Sequence, residues 1–214
     1  MPLRYGVGEP CRVLLHWEGM TRYWVVFALT GFLLGALLAA GLSAAEIPRK
    51  SPEFQINMAD GSNLLLTSFH GKVVVLEFLL TTCPHCQNTS KILTRLQKEY
   101  GPRGVQPLGC AIDPMARMLV GDFVKQHQVS FPIGFGDRDT VTNYLQHPPM
   151  LRMLVPQLVF IDKTGTIRAQ YDGGSDFMRD EEKNIRALLD QLLNEGTGKK
   201  STNTTSSQAR KKAS

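Results

Sequence analysis

Cysteine is scarce in this chain, with Cys11, Cys83, Cys86 and Cys110 the four among 214 residues. That is too few to staple a domain of this size, so a packed apolar core must hold it together. The 43% of hydrophobic residues are ordinary for such a core, and the length allows one domain with appendages rather than two full domains. Internal repeats are absent. A charge imbalance is also lacking once it is located. The net charge of +5 is accounted for by Lys199, Lys200, Arg210, Lys211 and Lys212, and no acid follows Glu195. The remainder sums to zero, which removes the basic face that nucleic-acid binding requires. Residues 196–214, rich in Ser, Thr and Asn, read as a solvated, disordered basic tail.

Charge is missing altogether between Trp24 and Ala45. This run is long enough to cross a hydrocarbon core of about 30 Å, and no polar face interrupts it. It reads as a signal-anchor helix or as a signal peptide, with the small residues Ser43, Ala44 and Ala45 at a plausible cleavage point. Met20 would begin a conventional short leader, which makes 1–23 an N-terminal segment that starts early and leaves Cys11 without a role. Either reading delivers the downstream domain across a membrane, into a compartment where disulfides persist. Residues 46–52 read as a linker and 53–195 as the folded domain.

Within that domain, residues 54–58 and 64–66 flank an Asp60-Gly61 turn and read as a hairpin. Residues 72–80 are apolar on both faces, as expected of a central strand covered on both sides. A helix opens at Pro84 and carries Ile92, Leu93, Leu96 and Tyr100 on one stripe. A second core strand spans 105–113, a helix passes through Met118 and Phe123, and a short strand covers 131–133. After a segment rich in Pro and Met at 147–153 come strands at 157–161 and 166–171. A last helix begins near Asp176, acidic in its first turn. The order βαβαβ followed by ββα specifies an α/β fold, a central mixed sheet flanked by helices.

The chemistry concentrates at Cys83-Pro84-His85-Cys86. A dithiol exchanger needs one thiolate that attacks and a second thiol near enough to release the mixed disulfide. Two intervening residues at a helix start meet that need, with Cys83 exposed at the cap and Cys86 one turn in, the pair closing to a Cys83–Cys86 disulfide when oxidised. The helix dipole favours the Cys83 thiolate, and Pro84 suits the first helical position because it has no N–H to leave unpaired. His85 adds a donor or positive charge beside the sulfur, which favours an oxidising poise. Half of a zinc site is the rival reading of Cys-X-X-Cys, but no second pair of cysteines completes it, and no metal or other cofactor is expected.

With Val74, Glu77 and Phe78 ahead of Cys83, Pro84, His85 and Cys86, residues 74–86 resemble the active-site strand and helix start of thioredoxin-fold proteins. The Glu-Phe pair and Cys-Pro-His-Cys are similar to the DsbA version. Length and element order over about residues 50–195 resemble instead the TlpA/ResA group of membrane-anchored thioredoxin-like proteins. Those carry an N-terminal β-hairpin and a βα insertion, although Thr82 stands here where they usually have Trp. The resemblance implies three further site residues. Glu77 falls where the family buries an acid beneath the second cysteine, placed to exchange a proton with Cys86. Pro156 falls where the family has a cis-proline facing the dithiol, leaving the Val155 backbone to pair with an extended substrate.

A thiol–disulfide oxidoreductase acting on protein disulfides is therefore expected, as a reductase fed by a membrane electron donor. It would be monomeric, attached through its N-terminal helix, with its catalytic domain on the extracytoplasmic side. A peroxidase of the peroxiredoxin type would need Thr and Pro at positions held here by Leu80 and Leu76. The alternative from another class is a non-catalytic copper- or zinc-binding module using the same thiols. Cys110 reads as an inert buried thiol, and His70, His127 and His147 as surface or loop residues. Met115, Met118, Met150 and Met153 read as packing residues, in preference to a substrate groove or soft copper(I) ligands.

Overall fold

The computed structural model describes residues 45–195. The N-terminal segment, the apolar run apart from Ala45, Cys11 and the basic tail lie outside them. No helix among the described residues is long and apolar enough to cross a membrane.

The elements run in chain order β1 (Arg49–Lys50), β2 (Gln55–Asn57), β3 (Asn63–Leu65), β4 (Val73–Leu79), α1 (Pro84–Tyr100), β5 (Val105–Ala111), α2 (Ala116–His127), β6 (Ile133–Phe135), α3 (Arg138–Leu145), β7 (Gln157–Ile161), β8 (Thr166–Tyr171) and α4 (Glu181–Glu195). One sheet takes all eight strands in the order β1-β8-β7-β4-β5-β6-β2-β3. β4 lies parallel to β5 and antiparallel to β7, so it is hydrogen-bonded on both edges and buried along its whole length. That burial explains why its sequence is apolar apart from Glu77.

Successive β4 side chains alternate between two cores, as the pleat requires. Val73, Val75 and Leu79 join Cys86, Leu93, Leu96, Ile185 and Leu189 beneath α1 and α4. Val74, Leu76 and Phe78 join Phe54, Ile56, Val141, Tyr144 and Leu145 on the other face. Glu77 follows the odd-numbered set and so points into the layer between the sheet and α1.

Three features differ from the sequence expectation. Residues 46–52 are not a free linker, because Arg49 and Lys50 pair with Ile167 and Thr166 of β8. The Arg49 guanidinium also donates to the Tyr144 carbonyl at 2.9 Å and to Gln170 Oε1 at 3.2 Å, which pins the segment to the sheet edge. A helix, α3, occupies a stretch with no expected element. Asp137 caps it by accepting from the Thr140 N–H at 2.9 Å, and Val141, Tyr144 and Leu145 form its buried face. The last helix starts later than Asp176, which opens a short 3-10 turn, Asp176–Asp180, before α4 begins at Glu181. In the chain α2, β6 and α3 lie between β5 and β7, and in the sheet β6 sits between β5 and β2.

Candidate functional site

Cys83 is the N-cap residue of α1. Its backbone is extended, and its sulfur accepts from the Cys86 N–H at 3.5 Å. Pro84 takes the first helical position, and the Gln87 N–H bonds back to the Cys83 carbonyl at 3.0 Å. The approach to the cap is held just as firmly. Asp113, past the end of β5, accepts from the Thr81 N–H at 2.9 Å and from its hydroxyl at 3.0 Å, while Gln87 Nε2 donates to the Thr81 carbonyl. Thr81 and Asp113 therefore position the loop carrying the thiol. Sequence reasoning missed both, since nothing in the local pattern ties residue 81 to residue 113.

The two sulfurs differ in environment. Cys83 is partly exposed at the rim of the core, whereas Cys86 is fully buried, and all three described cysteines are free thiols. Burial pushes the Cys86 thiol far above its ordinary range, and the neighbouring Glu77 and Cys83 add to that. Glu77 is 0% exposed, accepts from Ser90 Oγ at 2.8 Å through one oxygen, and has no partner for the other. Burial holds its carboxyl well above the usual range against the Ser90 hydrogen bond, and Glu181 and Cys83 push it further up. Ser90 is one turn beyond Cys86 on the same helix face, so α1 sets Cys86 and the partner of Glu77 side by side.

Val155 and Pro156 reach the same end of the sheet by register. Gln157 pairs with Phe78, which places Pro156 level with Leu79, at the end of β4 that leads to Cys83. The Val155–Pro156 peptide bond is cis. Pro156 is buried and Val155 half-buried, packed against the core that Cys83 borders. A further residue belongs to this loop. A Cβ on Gly173 would meet the Val155 carbonyl oxygen at 2.4 Å, so only glycine lets the chain leaving β8 pass so close behind it.

His85 is half-exposed and stands 3.8 Å from the Glu181 carboxylate. Cys110 is buried under Gly136, and desolvation pushes its thiol up to about 12. Of the four methionines read as packing residues, only Met153 is buried. Met115, Met118 and Met150 are 58%, 71% and 95% exposed, which corrects that expectation. Met115 and Met118 line an open groove of about 660 Å³ together with Asp113, the residue that holds Thr81. Met115 precedes α2 and Met118 lies on its first turn, and nothing in the sequence pattern showed that no described element covers this face. Among the described residues no three His, Cys, Asp or Glu side chains converge as a metal site would require.

Residues 47–170 match the model of the AhpC/TSA family. Among curated proteins, the chain is similar to the thiol-disulfide oxidoreductase ResA of Bacillus thuringiensis subsp. konkukian, 27% identical over 128 residues, or 60% of this chain and 70% of that one. It is also similar to ResA of Geobacillus kaustophilus, 24% identical over 77% of this chain and 90% of that one. Among solved structures, a thiol:disulfide interchange protein of the thioredoxin family from Chlorobium tepidum superposes with a TM-score of 0.58. It is 19% identical, and the match covers 70% of this chain and 99% of that one. The fold is thioredoxin-like.

Proposed function

The chain belongs to the AhpC/TSA family, and on that premise we propose that it is a ResA/TlpA-type protein-disulfide reductase working through Cys83 and Cys86. One observation carries the reading. A partly exposed thiol caps a helix, and a buried thiol one turn in sits beside a buried carboxyl that holds its proton tightly.

The Cys83 thiolate attacks a substrate disulfide, forming a Cys83–substrate bond and releasing one substrate thiolate. In its ionised form Glu77 takes the Cys86 proton, and the Cys86 thiolate attacks Cys83. The Cys83–Cys86 disulfide forms as the second substrate thiolate leaves. A desolvated carboxyl suits this transfer because its proton affinity is raised towards that of the thiol it serves. Val155, ahead of Pro156, offers backbone to an extended substrate. Pro84 and His85 tune the thiolate. A membrane electron donor on the extracytoplasmic side would return the pair to the dithiol. A peroxidase of the peroxiredoxin type is a poorer model, because Leu80 and Leu76 occupy the positions where its Thr and Pro would stand.

The test combines turnover with redox poise. Cys83→Ser is expected to abolish insulin reduction, and Cys86→Ser to accumulate a mixed disulfide visible on a non-reducing gel. A reduction potential near the thioredoxin value of about −270 mV supports the reductase, and one near about −120 mV makes the protein an oxidant. Stoichiometric copper(I) or zinc binding through both thiols, with no insulin reduction, would replace the enzyme by a metal-binding module.

A further inference from the structure

Glu181 is a second buried acid that the dithiol reading leaves without a task. It opens α4, is 6% exposed, and its Oε1 has no hydrogen-bond partner. A buried, incompletely partnered carboxyl costs stability, and a helix start could have been capped with an exposed residue instead. Its surroundings link it to the site. One turn further along α4, Ile185 packs in the core that holds Val75, Leu79 and Cys86, so the helix start lies against the face of β4 that carries Glu77. Between the two acids, α1 presents Thr89 and Ser90, both fully buried. Ser90 donates to Glu77, and Thr89 stands next to Glu181 and favours its charged form.

On its outer side the buried Glu181 borders a cleft. It lines an open cleft of about 360 Å³ with His85, Asn88 and Met178, and Glu181 Oε2 is 3.8 Å from His85 Nε2. The charged groups around it are Glu77 from β4, His85 from α1 and Glu182 from its own helix, with Arg179, Asp180 and Lys183 at the cleft.

We propose that Glu181 is a positioning residue for the dithiol. With Glu77 on its inner side and the cleft at His85 on its outer side, it sets how firmly Glu77 holds the proton exchanged with Cys86. The proposal rests on the roles proposed for Cys86 and Glu77 in disulfide reduction. Two carboxyls in a desolvated layer resist ionising together, so a charge on Glu181 keeps the proton on Glu77. Burial likewise raises Glu181, with Thr89 and His85 opposing, so both acids favour their neutral forms and each penalises the other's charge. His85 then couples the buried pair to the surface beside Cys83.

The experiment uses the full chain, reduced and carrying Cys11→Ser, mixed with one equivalent of 5,5′-dithiobis(2-nitrobenzoate) in a stopped-flow instrument. The first thionitrobenzoate leaves when Cys83 attacks, and the second leaves when Cys86 resolves the mixed disulfide. The pH midpoint of the second phase reports Glu77. Glu181→Gln is expected to keep the circular-dichroism spectrum of the parent, which certifies folding, and to move the second-phase midpoint down by about one unit. Glu181→Asp, which keeps the carboxyl, holds the midpoint near that of the parent, and so does Glu182→Gln. An unmoved midpoint in Glu181→Gln overturns the proposal, as does an equal shift in Glu182→Gln. A second phase that persists in Cys86→Ser would overturn the dithiol reading itself, an outcome no Glu181 variant can imitate.

Discussion

At the scale of single residues, the site is asymmetric by burial. Cys83 borders solvent at a helix cap while Cys86, Glu77 and Glu181 lie inside, and desolvation acts on all three interior groups in the same direction. The consequence for stability has a definite sign. The Glu77 carboxyl is raised in the folded chain relative to the unfolded one, so between the two titrations the unfolded chain binds fewer protons. Stability therefore falls as pH rises through that window and is fully present below it. Glu77→Gln should stabilise the protein by about 1–3 kcal/mol at pH 8 and by much less at pH 4, as read from urea midpoints at the two pH values. A gain equal at both would mean that the carboxyl is not held neutral by burial.

At the scale of elements, the loops around the dithiol depend on close approach of backbone. Gly173→Ala places a methyl group against the Val155 carbonyl and must displace one of the two strands' ends. Insulin reduction is expected to fall several-fold while the reaction of Cys83 with a small disulfide is unchanged, at a stability cost of about 1–3 kcal/mol. Equal loss with both substrates would place the damage at the thiols rather than at the docking loop. The central elements were legible in the sequence because their signals are local. β4 is a long β-branched apolar run, α1 has Pro at its start and a stripe through Leu93 and Leu96, and Cys83-X-X-Cys86 sits on the boundary between them. What escaped depends on neighbours far along the chain. Asp113 matters because it reaches Thr81, Glu181 because α4 packs over β4, and Gly173 because Val155 lies behind it. α3 was readable in principle, since Asp137 precedes Val141, Tyr144 and Leu145 at helical spacing, but its short length and the Pro-rich stretch after it masked the period.

At the scale of the whole molecule, the sheet determines where the domain begins. The hydrogen bonds of Arg49 and Lys50 to β8 mean that a fragment started at residue 53 would leave the outer edge of β8 with its N–H and C=O groups unpaired. Sedimentation velocity should show such a fragment associating with increasing concentration more strongly than one started at residue 45. Equal behaviour would show that β1 contributes nothing to edge protection. Two residues thus serve as the hem of the sheet, and anyone trimming this protein for expression should cut upstream of the stitching, because a strand left ragged there invites the next copy to sew itself on.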